Sequence, residues 1–180
     1  MGINIDGRIC HDRIRALEEL ANKHKVQKYL EIGVHNGSSM SYVLQSNYIK
    51  ECVGVDPFET LKDKSSHYIR QDSINETRTR KNIENNNKNS TEIKLIKGYS
   101  QDVSIDDTDF DMLFIDGDHS YEMTKHDYEK FIKNVKSGGI IVFDDLHLYG
   151  PGKFFKELKD DKRVAVDSIM YETEGVLIKL

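Results

Sequence analysis

The chain has only two cysteines, Cys10 and Cys52, in no metal-binding or redox spacing. Two isolated thiols build no disulfide framework and read as free thiols of a reducing, cytoplasmic compartment. No run approaches the roughly 18 apolar residues that a membrane span needs, and the opening MGINIDGRICHDR lacks an apolar signal core. Long basic stretches are missing too, and the formal net charge is −5. A nucleic-acid backbone is therefore a poor main partner. GxxxxGK followed by Ser or Thr does not occur, which argues against a nucleoside triphosphatase. Nor does GxGxxG, because His35 stands two positions after Gly33.

What is present suits a globular chain. Hydrophobic residues make up 37% and charged residues 32% of 180, enough for one domain with a core. Ile14, Leu17 and Ala21 recur at helical spacing and predict a helix over 11–22. KYLEIGV (28–34), ECVGVDPF (51–58), EIKLIKG (92–98), FDMLFIDG (110–117) and IIVFDDL (140–146) are short apolar runs of the kind that form buried parallel strands. Helices are expected over 38–46, 74–85, 121–135 (closed by Ser137-Gly138-Gly139) and 154–158. RVAVDSIMY and GVLIKL, joined by ETEG, read as an antiparallel hairpin.

This alternation predicts an α/β, Rossmann-like, doubly wound sheet of about seven strands, mostly parallel with an antiparallel C-terminal strand. The expectation is one domain over 1–180, with a short helical extension over about 1–27. The polar segment 63–90 reads as a mobile insertion.

In such sheets ligands bind beyond the carboxyl ends of the strands, and here five strand ends carry polar or glycine-rich segments. EIGVHNGSS sets Gly33 and Gly37 around a tight turn into a helix, where backbone can approach a ligand. An ordinary strand–helix turn is the plain alternative. Asp56 ends the second strand, and its two acceptor oxygens suit a pair of ribose hydroxyls or, more simply, a turn cap before Pro57. Asp116, Asp144 and Asp145 put three carboxylates at adjacent strand ends. Like charges that close conflict unless a cation joins them, and oxygen ligands suit magnesium, calcium or manganese. His119, three residues after Asp116, titrates near neutrality and is a candidate base; His147, behind Asp145, is a second.

EIGVHNGSS, VGVDPF, GYSQD, FDMLFIDGDHSYE and KSGGIIVFDDLHLYGPG together resemble the class I S-adenosylmethionine-dependent methyltransferases. The likeness runs from about Tyr29 to the C-terminus. It is nearest to the metal-dependent group containing macrocin O-methyltransferase and cephalosporin hydroxylase-like proteins, with catechol O-methyltransferase more distant. The resemblance implies that Glu31, Gly33, His35, Gly37 and Ser39 line the methionine part of S-adenosylmethionine. It implies that Asp56 holds the ribose, Ser100 and Gln101 border the adenine, and Asp116, itself beside the cofactor, binds Mg2+ with Asp144 and Asp145. His119 falls where the catechol enzyme has its base lysine. The implied reaction is methyl transfer to a small hydroxylated acceptor, with no nucleic acid or membrane partner and with a homo-oligomer left open. The alternatives are a cofactor- or nucleoside-binding module without catalysis and a hydroxylase. One departure is that macrocin-type enzymes carry a longer N-terminal portion over the substrate.

Overall fold

The computed structural model describes residues 3–6, 8–10, 15–59, 75–170 and 173–180. In chain order the elements are β1 (Ile3–Ile5), β2 (Arg8–Cys10), α1 (Arg15–Lys23), β3 (Lys28–Ile32), α2 (Ser38–Val43), β4 (Glu51–Asp56), α3 (Glu76–Asn86) and β5 (Glu92–Lys97). There follow β6 (Phe110–Ile115), α4 (Tyr121–Phe131), β7 (Val135–Phe143), α5 (Tyr149–Glu157), β8 (Val164–Met170) and β9 (Glu174–Lys179). Seven strands make one sheet in the order β5-β4-β3-β6-β7-β9-β8. The pairings from β5 to β7 are parallel, and β9 runs antiparallel to both β7 and β8. The predicted fold class is the one observed.

Alternation along the strands divides the core into two layers, because successive side chains leave opposite faces. Leu30 and Ile32 of β3 pack with Leu113 and Ile115 of β6 and Ile141 and Phe143 of β7, under α4 and α5. Tyr29 faces the other way, with Cys52, Met112, Phe114, Ile140 and Val142, under α1 and α2. On the first face Tyr128, Phe143 and Phe154 meet with ring centroids 5.5–6.1 Å apart. Such aromatic contacts are each worth about 0.5–1.5 kcal/mol beyond burial. They fix α4 and α5 against the strands whose ends carry the acidic residues.

Three expectations need correction. The glycines at 137–139 do not cap a helix. The helical stretch ends in a 3-10 turn at Ile132–Asn134, and the glycines lie inside β7. There the register jumps, from Phe110 opposite Val135 to Met112 opposite Ile140, and Gly138 takes φ +77° to make the bulge. Second, α5 begins at Tyr149 rather than Phe154. The run Gly150-Pro151-Gly152 reads as loop, yet proline is tolerated in a first helical turn. Both glycines are forced by contact: a Cβ on Gly150 would lie 2.1 Å from the His119 carbonyl oxygen, and one on Gly152 2.2 Å from that of Leu146.

Third, the N-terminal region is not only helical. β1 and β2 pair as an antiparallel ribbon, and Ile3 and Ile5 bury against Tyr42 of α2. The ribbon is held by α3, whose Asn82 accepts from the Asp6 amide and whose Asn86 both accepts from the Asn4 amide and donates to its carbonyl. The helix expected over 11–22 is observed from Arg15, and 11–14 lie outside the described residues. Of the segment 63–90, residues 63–74 also lie outside them, whereas α3 follows with its N-cap Asn75 accepting from the Arg78 amide.

Candidate functional site

The order of strands reverses between β3 and β6: β4 and β5 extend to one side of β3, and β6 to β8 to the other. A crevice opens at such a switch point, and the acidic strand ends gather around it. Gly33 leaves β3 with φ +94°, and a Cβ there would stand 2.1 Å from the Asp116 carbonyl oxygen. Its immediate role is thus to let two strand ends touch. Gly37, at φ +82°, opens α2 and lies against Ile83 of α3.

Asp56 is 8% exposed, and both its carboxylate oxygens are engaged. Oδ2 accepts from the His35 amide at 2.8 Å and Oδ1 from the Phe58 amide at 2.6 Å. The turn-cap reading of Asp56 is therefore realised. Each oxygen keeps a second lone pair, so the same carboxylate can still receive hydroxyls. His35 has φ +51°, and its carbonyl accepts from Thr79 of α3 at 2.6 Å.

Glu31 is fully buried on the α2 side of β3 and accepts from the Ser39 hydroxyl. Its Oε2 has no hydrogen bond of ordinary geometry among the described residues, although the buried Tyr29 hydroxyl interacts with it. Burial pushes the Glu31 carboxyl up to about 8, against the lowering effect of Ser39. Ser39 is consequently a partner of Glu31 rather than an open group.

Beyond β6 and β7 the acids meet a histidine. His119 Nε2 stands 3.4 Å from Asp116 Oδ1 and 3.3 Å from Asp145 Oδ2. One ligand atom from each of Asp116, His119 and Asp145 falls within 4.8 Å of the others, a grouping that a metal ion could share. Asp144 is adjacent but not in this group: it is buried, and its Oδ1 accepts from the Asp145 amide at 2.7 Å. Burial first, then the Asp116 charge, pushes the Asp144 carboxyl up to about 7. Asp116 is likewise raised by burial, despite its contact with His119, and His119 is raised chiefly by that contact. Without a cation the cluster therefore favours imidazolium, the acid form. His147 Nδ1 lies 3.6 Å from Asp145 Oδ1 on the open side.

Ser120 caps α4 by accepting from the Met123 amide, and Asp118 accepts from the Ser120 amide, so the HS turn is locally determined. Ser100 and Gln101 lie along α4, with the Gln101 amide 3.3 Å from the Met123 sulfur in its first turn. Lys130 donates to both their carbonyls at 2.7 Å, and Ser100 also bonds the buried Asp127. Sequence reasoning missed Glu174, which is buried at the start of β9 and raises the Asp144 carboxyl. The only available signal was an acid in the ETEG turn, which reads equally well as ordinary turn chemistry.

Among the described residues no helix is long and apolar enough to cross a membrane. The methyltransferase-domain family model matches residues 30–146, which spans β3 to Leu146. Uncharacterized protein R132 of Acanthamoeba polyphaga mimivirus is 35% identical over 154 residues, 81% of this chain; the chain spans 64% of that protein's length. The fold is shared with the O-methyltransferase from Bacillus cereus in complex with SAH, at TM-score 0.67 and 17% identity over 96% of this chain and 83% of that one. It is shared too with the O-methyltransferase TomG of Streptomyces achromogenes, involved in tomaymycin synthesis and in complex with SAM, at 0.67 and 14% over 96% and 81%. The chain belongs to the methyltransferase-domain family and shares the fold of these two O-methyltransferases.

Proposed function

We propose that the chain acts as one domain catalysing S-adenosylmethionine-dependent O-methylation of a small hydroxylated molecule, assisted by a divalent cation. The observation that carries this reading is the pairing of two unlike acidic ends across β3. Asp56, braced by two amides, lies on the β4 side, and the Asp116–His119–Asp145 group lies on the β6 side.

Asp56 would receive the ribose hydroxyls on its remaining lone pairs. The 33–37 turn and Glu31 would border the methionine end, and the 100–101 turn the adenine. The donor set fits a divalent cation, since it brings two carboxylates and an imidazole within 4.8 Å of one another beside the buried Asp144. Asp116 and Asp145 would hold it, with His119 or Asp144 completing the set. Oxygen donors suit Mg2+, and an imidazole donor would admit Mn2+. When bound, such an ion lowers the pKa of a hydroxyl that it touches.

In the transfer the acceptor's oxygen forms a bond to the methyl carbon as the sulfonium C–S bond breaks. The hydroxyl proton passes to His119, and S-adenosylhomocysteine leaves as a neutral thioether. His119 can accept that proton only once the pull of Asp116 and Asp145 on its own proton is relieved. If His119 is instead a ligand, as its distances to both carboxylates allow, His147 is the nearest other imidazole to Asp145. Calorimetry with S-adenosylhomocysteine, with and without Mg2+ or Mn2+, is the test. Heat from neither ligand would sink the reading, whereas cofactor binding without metal binding would leave a non-catalytic module.

A further inference from the structure

Each helix that flanks the acid–histidine cluster opens on a tyrosine. Tyr121 begins α4 two residues after His119, and Tyr149 begins α5 two residues after His147. The first turn of α5 is pressed onto the His119–Tyr121 backbone at Gly150, so both tyrosines start at the rim of the cluster. Tyr149 is 78% exposed, more than any other large hydrophobic side chain among the described residues. Lys153 Nζ sits 4.1 Å from the Tyr121 ring centre and 5.8 Å from that of Tyr149, and Lys125 Nζ is 6.0 Å from Tyr121.

Neither lysine has a carboxylate within 4.0 Å among the described residues, although acids crowd this end of the sheet. The ring faces orient the Lys153 ammonium without neutralising it. The rim therefore offers the exposed Tyr149 face beside a cation with no carboxylate within 4.0 Å among the described residues. The Glu157 carboxylate is taken up by the Tyr121 hydroxyl at 2.7 Å, and His119 lies two residues before Tyr121. With the cation at the cluster taking the acceptor's hydroxyl, Lys153 is left to meet an anionic group, which fixes which way round the ligand lies.

We propose that Tyr149, Tyr121 and Lys153 form an acceptor-holding rim for a hydroxylated ring compound that carries a carboxylate or phosphate. The ring lies on Tyr149, the anionic group meets Lys153, and the hydroxyl is left toward His119. This rests on the methyltransferase reading above and adds the charge and shape of its acceptor.

The test is an amide NMR titration of the S-adenosylhomocysteine-bound protein, in Mg2+, with two matched pairs of probes: 3,4-dihydroxybenzoate against 3,4-dihydroxybenzyl alcohol, and glucose 6-phosphate against glucose. The anionic member of at least one pair should bind about tenfold more tightly than its neutral partner and shift the Tyr149 and Lys153 amides. Which pair responds tells an aromatic carboxylate from a sugar phosphate. Lys153→Ala should bring the two members of that pair to within about twofold, while Lys153→Arg keeps the preference. Equal binding of neutral and anionic members, binding that leaves those amides unmoved, or no binding of any probe would overturn the proposal. Failure of S-adenosylhomocysteine itself to bind would overturn the reading beneath it, and the cofactor titration made first keeps the two failures apart.

Discussion

Asp56 and Asp144 are both buried aspartates at the carboxyl ends of parallel strands of one sheet, β4 and β7, yet their surroundings are opposite. Asp56 has an amide donor on each oxygen, from His35 and Phe58. Asp144 has one, from Asp145, and faces the charges of Asp116, Asp145 and Glu174. The first carboxylate is ready for use as it stands, because its charge is solvated by backbone and it builds the turn it sits in. The second is frustrated and gains only if a proton or a cation joins it. A strand-end acid is thus either part of the scaffold or waiting for a ligand, and the number of amides around it tells which.

Asp56→Ala is the sharpest way to break this contrast. Two charge-assisted hydrogen bonds disappear from a buried turn, so urea denaturation should show a loss of roughly 3–5 kcal/mol together with loss of S-adenosylhomocysteine binding. An unchanged midpoint would mean that the acid serves the ligand alone. Next comes Glu31, a buried acid with one donor. Its folded pKa of about 8 lies above the ordinary carboxyl value, so the folded state binds the proton more tightly. The stability this gives is full below pH 4.5 and is lost as pH rises from there through about 8. Glu31→Gln should flatten that slope, by on the order of 2–4 kcal/mol across the window, in thermal melts taken at each pH.

The metal arm is expected to be smaller. Saturating Mn2+ or Mg2+ should stabilise the wild type by roughly 1–2 kcal/mol and Asp145→Asn hardly at all. The metal-free Asp145→Asn protein should melt close to wild type, since the repulsion removed from Asp116 and Asp144 offsets the lost contact with His119. A clear destabilisation there would place Asp145 in the Asp56 class. Asn75→Ala calibrates the series: it removes a helix cap that bonds neither acid and should cost about 1 kcal/mol without altering either ligand's affinity.

Most of the sheet was legible because its strands are near-continuous apolar runs ended by glycine or acid, and buried parallel strands are written that way. Asp56 and Asp116 stood out for the same reason, as the first polar residues after such runs, and His119 stood out as an imidazole three positions past Asp116. The misreadings share a cause. Gly150-Pro151-Gly152 has the composition of a loop, and only the approach of the His119 and Leu146 backbones explains why it starts a helix. Gly138 likewise serves a bulge set by register against Phe110. His119 rather than Asp144 falls in the close group with Asp116 and Asp145, and the Asp144 carboxylate accepts the Asp145 amide instead. Spacing alone cannot carry that. Glu174 comes to the site by antiparallel pairing with β7, from 30 residues beyond Asp144, which a local reading does not see.

The asparagine amides that hold β1 have a bearing on the order of folding. Asn4 and Asn86 are 82 residues apart in the chain, and Asp6 and Asn82 are 76 apart. Among the described residues β1 pairs only with β2 and with no strand of the seven-stranded sheet, and two side chains of α3 hold it there. The ribbon thus lacks its amide partners, though not its apolar contact with Tyr42, until α3 is wound, and closing so long a loop early would be slow. β1 should be among the last segments to settle and the first to open. In hydrogen exchange the Asn4 and Asp6 amides should lose protection together with α3, well before the β3 and β6 amides of the sheet's centre.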